Sequence, residues 1–201
     1  TRKYYYGTYC DLYYAVANNH VECLKIGIKH QFETPDLLLE IAAEKGNLEI
    51  IKILLDAGCK LSNKLCTFAA KNLEDNIECI KFLREKGCEW DCRTAVSAAE
   101  KGNFKILEYV ISNGCDISDK ICEYAAMGGN VQCLELAFAH SKNRSSKITY
   151  YAARNDNLEA FAYAVENGAP VSEETLKEVI ENRCKNVTPG KVLRYLKNNT
   201  L

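Results

Sequence analysis

The sequence predicts an all-α protein, a solenoid of about seven stacked helix-turn-helix units, and three observations carry that prediction. A pair of small residues returns at a nearly constant spacing along the chain. Residues that tolerate left-handed backbone follow each pair at a fixed distance. Between these markers, apolar residues recur at helical spacing.

The pair is Ala15-Val16, then Ala42-Ala43, Ala69-Ala70, Ala98-Ala99, Ala125-Ala126 and Ala152-Ala153. The steps are 27, 27, 29, 27 and 27 residues, and a further 27 reaches the drifted copy Val179-Ile180. Periods of this size mark arrays in which each unit is one supersecondary element. The step of 29 places two extra residues around Leu73-Glu74, in a turn between helices.

Each unit reads as two helices. Seven residues before the pair stands a helix-capping type, Thr8, Ser62, Asp91, Ser118, Ser145 or Ser172. In the second copy Thr34 takes the capping role and Pro35 the first helical position. Three residues past the pair comes Asn19, Gly46, Gly102, Gly129 or Asp156, with Asp75 after the insertion, suited to a left-handed helix end. The next residue is His20, Asn47, Asn76, Asn103, Asn130 or Asn157, a second cap, each Asn contributing roughly 1 kcal/mol over Ala. The second helix carries an apolar stripe such as Phe104, Leu107, Val110 and Ile111, and Gly58, Gly87, Gly114 or Gly168 ends it. The apolar residue beyond, Leu61, Trp90 or Ile117, pins the connection to the core.

The whole chain, 1–201, is therefore one domain, with copies at 8–33, 34–60, 61–89, 90–116, 117–143 and 144–170 and a C-terminal cap at 171–201. Within that cap Thr188-Pro189-Gly190 opens a last helix whose Val192, Leu193, Tyr195 and Leu196 face the stack. Lys191, Arg194, Lys197 and Asn198 give it a polar outer side.

Composition excludes several classes. The chain is 47% hydrophobic and 26% charged with a formal charge of −1, too balanced for a broadly basic phosphate-tracking protein or an acidic disordered tail. No apolar run approaches the length of a membrane span. Asn143, Asn186 and Asn198 head glycosylation-type triplets of a kind that arises often by chance. The 11 cysteines form no Cys-x-x-Cys pair, and His20, His30 and His140 are not spaced as zinc ligands beside them. Cys59, Cys88 and Cys115 share one column of the repeat, Cys23, Cys79 and Cys133 a second, and Cys66 and Cys122 a third. Other copies place Ile, Leu or Ala in these columns, so the thiols read as core groups in a reducing interior. That setting points to the cytoplasm, with the nucleus as an alternative. No metal site, cofactor motif or catalytic constellation is present, and no enzyme activity is expected.

The segment Ala98 to Asp116, with its Ala-Ala helix, Gly-Asn turn and Gly-Cys-Asp ending, resembles an ankyrin repeat. Ala42–Lys60 and Ala152–Ala169 resemble it equally well. The resemblance implies a right-handed α-solenoid. The 27-residue period falls short of the usual 33, and the missing residues are those of the projecting β-hairpin finger. Short repeats of this kind are similar to those of large DNA viruses and protists. Helices packed about 8–10 Å apart give such a stack a length of roughly 60–70 Å.

The resemblance also implies that the first helices line the concave side and that the chain is a scaffold for another protein. By helical spacing, the exposed positions are two before the pair and the two after it. The candidate binding residues are Tyr13, Glu40, Glu44, Lys45, Lys71, Val96, Glu100, Lys101, Glu123, Met127, Tyr150 and Arg154, with Ala17, Asn18, Thr67, Asn72, Gly128 and Asn155 in the same columns. The columns suit a recognition face, and equally a solvated one. The expected partner is a protein bound by a monomeric chain, with no small-molecule substrate and no membrane. A nucleic-acid-binding groove and the recognition part of a ubiquitin-ligase-type adaptor are the alternatives. Two patches depart from the repeat. Tyr4, Tyr5, Tyr6, Tyr9, Tyr13 and Tyr14 crowd the start, as an end cap or as the face of a preceding repeat. His140 to Lys147 replaces the Gly-Cys turn with a basic one, either solvated or facing an acidic partner.

Overall fold

The computed structural model describes residues 8–72, 77–185 and 191–199. Fourteen helices and no strand occur among them. They pair as α1 (Thr8–Ala17) with α2 (Val21–Lys29), α3 (Leu37–Glu44) with α4 (Leu48–Asp56), and α5 (Leu65–Ala69) with α6 (Ile77–Glu85). The pairing continues with α7 (Cys92–Lys101) and α8 (Phe104–Ser112), α9 (Ile121–Gly128) and α10 (Val131–His140), and α11 (Ser146–Arg154) and α12 (Leu158–Glu166). The last two helices are α13 (Glu173–Lys185) and α14 (Lys191–Asn199). Thr188-Pro189-Gly190, the Leu73-Glu74 insertion with Asp75 and Asn76, the side chains of Tyr9 and Leu193, and Tyr4 to Tyr6 lie outside the described residues.

The turns fall where left-handed residues were expected. Asn19, Gly46, Gly102, Gly129 and Asp156 have φ of 59°, 69°, 70°, 75° and 48°, and Gly58, Gly87, Gly114 and Gly168 have 94°, 87°, 78° and 88°. In the first copy Gln31 takes the second position, at φ 58°. The first caps are displaced in three copies. Helices α3, α5 and α9 begin after Asp36, Lys64 and Lys120, not after Thr34, Ser62 and Ser118. The serine hydroxyls instead accept from the backbone N–H two residues on, Lys64 to Ser62 at 3.4 Å and Lys120 to Ser118 at 3.3 Å, closing a local turn ahead of the helix. Asp91 caps α7 through Arg93 N at 2.9 Å, and Ser172 accepts from Thr175 N at 3.2 Å at the start of α13.

The helices form two rows. Odd-numbered helices pack on odd-numbered neighbours and even on even, and the pairs bridge the rows. The alanine pairs are buried in the odd row, and their small side chains let backbones approach closely. A Cβ built on Gly128 of α9 would stand 2.2 Å from the carbonyl oxygen of Ala99 in α7. The even row is filled by larger residues, among them Ile51, Leu54, Ile80, Leu83, Leu107 and Phe161. Neighbouring odd helices approach more closely than neighbouring even ones, which bends such a stack toward the odd row, the side the sequence expects to be concave.

The asparagine column binds copies together as well as capping. The Asn47, Asn130 and Asn157 side-chain oxygens accept from Ile50, Cys133 and Ala160 N at 3.0, 3.3 and 3.0 Å. Their amide nitrogens reach back one copy: Asn47 to Asn19 Oδ1, Asn130 to Gly102 O at 2.9 Å, and Asn157 to Gly129 O. Asn103 makes no cap bond and donates to Ala70 O at 2.8 Å and Asn72 O at 2.6 Å.

Cys59, Cys66, Cys79, Cys88, Cys115, Cys122 and Cys133 are buried, as expected of core groups. Cys23 is exposed: Ile50, Cys79, Ile106 and Cys133 in its column pack under the preceding copy, while α2 is the first helix of its row. The turn column does more than fill space. Cys59, Cys88 and Cys115 thiols donate to the carbonyls of Thr34, Ser62 and Asp91 at 3.2, 3.3 and 3.1 Å, tying the end of each unit to its beginning.

The basic turn is held internally through Arg144. Its guanidinium donates to Ser141 O and Asn143 O, both at 2.9 Å, and to Asn167 O at 3.1 Å, and it stacks 3.8 Å from the Phe138 ring centroid. Asn143 donates to Asp119 O at 2.7 Å. At the far end, Val192 of α14 is buried, and Tyr195 meets Phe161 edge-on at 6.1 Å.

Candidate functional site

The concave face is built from the exposed edge of each odd-numbered helix. The position two before the alanine pair sits between neighbouring helices, so Glu40, Val96, Glu123 and Tyr150 are half-buried and Tyr13, on the first helix of the row, is 47% exposed. Two of these are tied to the protein itself. The Glu123 carboxylate accepts the Ser145 hydroxyl at 2.8 Å, and the Tyr150 hydroxyl donates to Glu178 at 3.4 Å. Thr67 shares a hydroxyl contact with Thr94 at 3.3 Å.

The first position after the pair holds Glu44, Lys71, Glu100, Met127 and Arg154 along the row. Glu44 and Arg154 are exposed; Lys71, Glu100 and Met127 are half-buried. Lys45 and Lys101, one residue on, are exposed as well.

Other side chains in that second position are engaged within the stack. Asn72 is 4% exposed and donates to Glu44 O at 3.2 Å, Asn155 donates to Met127 O at 2.8 Å, and Gly128 lies against the α7 backbone. The helix ends lean toward the preceding copy here, so the side chain is used for stacking. No sequence signal separated these from neighbours, since Asn and Gly also suit an exposed helix end.

On the convex side Lys25 pairs with Glu22 and Glu49 at 2.9 and 3.7 Å, and Lys81 with Glu78 at 3.1 Å. On the concave side Glu44, Lys45, Lys71, Glu100 and Lys101 form no ion pair with one another among the described residues; the Lys71 ammonium lies 5.2 Å from the Phe68 ring centroid. At the first position after the pair the sign alternates along the row, Glu44, Lys71, Glu100.

The thiols have no comparable opening. Burial pushes Cys79 and Cys115 up to about 11. The neighbouring Cys66 thiol, helped by Arg84, lowers Cys88, but Cys88 is 2% exposed and reaches no cleft. No group of three or more His, Cys, Asp or Glu able to hold a metal occurs among the described residues. No described helix is long and apolar enough to cross a membrane.

Stacked helix pairs with a long, charged inner face and buried thiols define a helical-repeat protein that offers a surface. Residues 39–121 match the family model for ankyrin repeats in three copies. The structure is similar to that of the human ASB11 ankyrin repeat domain, with a TM-score of 0.65 at 16% identity, covering 93% of this chain and 96% of that one. No curated protein sequence matches it. Ankyrin repeats are generally protein–protein interaction modules, and the fold is the solenoid the sequence predicted.

Proposed function

We propose that this chain is a non-catalytic scaffold that holds a partner protein along the concave row from α3 to α11. The observation that carries the reading is the set of inner charges, Glu44, Lys45, Lys71, Glu100 and Lys101, which include both signs along the row and form no ion pair with one another. Alternating signs favour a protein over a polyphosphate, whose binding rewards one sign. The nine described cysteines are all free, seven of them buried, which supports a reducing compartment such as the cytosol.

The test reverses Glu44→Lys with Glu100→Lys, both off the core. Affinity capture from the native host with the parent chain retains a partner, and the double variant, folded by circular dichroism, retains it about tenfold less. Equal retention by the two chains refutes the assigned face.

A further inference from the structure

On the convex side, between α4 and α6, lies an open groove of ≈410 Å³ lined by Lys52, Leu55, Asp56, Leu61, Phe82 and Lys86. Its floor is apolar, and Leu61 is 38% exposed. The Lys52 and Lys86 ammonium groups lie 5.3 and 5.5 Å from the Phe82 ring centroid. Neither lysine makes an ion pair among the described residues, and Asp56 alone offsets their two charges on the rim.

Two other copies show how rings can fill this place, while Ile111, Ile117 and Leu136, two copies on, fill it with aliphatic groups. One copy on, Leu55, Leu61 and Phe82 are replaced by Arg84, Trp90 and Tyr109. There the Trp90 ring meets Tyr109 edge-on at 5.9 Å with the Arg84 guanidinium 4.1 Å from its centroid. Three copies on, the same positions hold Phe138, Arg144 and Tyr163, with the Phe138 and Tyr163 rings stacked at 5.5 Å and Arg144 at 3.8 Å from Phe138. Each of these sites contains two aromatic rings and a guanidinium. The α4–α6 groove contains one ring, two leucines and two lysines, and so stays open.

We infer that this groove is a second binding site, which takes an aromatic side chain flanked by carboxylates on a short peptide segment. The aromatic ring fills the place that Trp90 fills one copy on, against Phe82 and over Leu55 and Leu61. Its acidic neighbours meet Lys52 and Lys86, whose charges a basic or neutral segment leaves unmatched. The volume suits one aromatic side chain with part of its backbone, at the lower end of ligand-sized clefts. The site is separate from the concave row and does not depend on the reading given for it.

The probe is a fluorescein-labelled peptide Gly-Asp-Asp-Trp-Asp-Gly, titrated with the full chain at low salt and followed by anisotropy. Saturable binding below about 1 mM is expected, weakened about tenfold or more when the peptide Trp becomes Ala or its Asp residues become Lys. Leu61→Trp fills the groove from within, as the next copy does, and removes binding without lowering the melting temperature. Lys52→Glu with Lys86→Glu, on exposed positions, also removes it, and this variant decides the matter if Leu61→Trp misfolds. Glu44→Lys with Glu100→Lys binds the peptide as the parent does, which separates this site from the concave one. Absence of saturable binding, equal binding of the Lys-substituted peptide, or parent-like binding by the Lys52→Glu with Lys86→Glu variant overturns the inference.

Discussion

Gly128→Ala sets two known effects against each other and lets the structure choose the sign. Gly128 is the last residue of α9, and Ala in a helix is better than Gly by about 1 kcal/mol from propensity alone. The added Cβ, however, would stand 2.2 Å from Ala99 O and 2.8 Å from Glu100 O, both main-chain atoms of α7. Carbon–oxygen contacts settle near about 3.3 Å, so α7 and α9 must separate by about 1 Å. Overpacking of this kind costs about 1–3 kcal/mol, and a gap of that width also forfeits part of the dispersion energy along the contact. The expected net result is a loss of about 1–2 kcal/mol. Arrays of repeats need not unfold in one step, so urea denaturation is paired with amide exchange, which should quicken in α7 and α9 and not in α3. Gly114→Ala is the control: nothing lies within 4 Å of its Cβ position, and its φ of 78° leaves only local strain of about 1 kcal/mol. A Gly128→Ala chain as stable as the parent would refute the close approach on which the curvature rests.

Asn130→Ala removes both the cap to Cys133 N and the bond to Gly102 O, for a loss of about 2 kcal/mol by urea unfolding; Asn130→Asp keeps the cap and should lose about half of that. Arg144→Met strips the carbonyls of Phe138, Ser141, Asn143 and Asn167 of their donor and the Phe138 ring of its cation, so faster exchange confined to 138–146 and a lower melting temperature are expected. Burial raises the Cys79 and Cys115 thiols to about 11 from an ordinary 9.0, so the folded state holds protons that the unfolded state releases first. Their contribution is intact below about pH 8.5 and is lost as pH rises through about 11, which a pH series of urea midpoints detects. Iodoacetamide at pH 8 on the native chain should label Cys23 and spare Cys79 and Cys115, as peptide mass mapping would show.

The helix pairs were legible because a small pair every 27 residues has one economical structural meaning, and the left-handed turns because few residue types accept positive φ. Even Gln31, with neither Gly nor Asn to announce it, falls in register with Gly58. The displaced starts of α5 and α9 were not legible, since a serine that caps a helix and one that closes a preceding turn look alike in sequence. The second use of the asparagine column was hidden for the same reason: capping accounts for the oxygen and leaves the amide nitrogen unassigned until the preceding copy is placed beside it. Cys23 shows the limit of column arguments, because a core column is covered only where a neighbour stacks on it. On the concave face, spacing found the exposed charges Glu44, Lys45 and Lys101 but could not separate them from Asn72, whose side chain turns to Glu44 O.

Amide hydrogen exchange on the chain bound to its captured protein partner puts the proposed role to its sharpest test. Slowed exchange should concentrate at the C-terminal ends of α3, α5 and α7, around Glu44, Lys71 and Glu100, with the even-numbered helices unchanged. Protection confined to α4, α6 and α8 would place the partner on the other face and contradict the account.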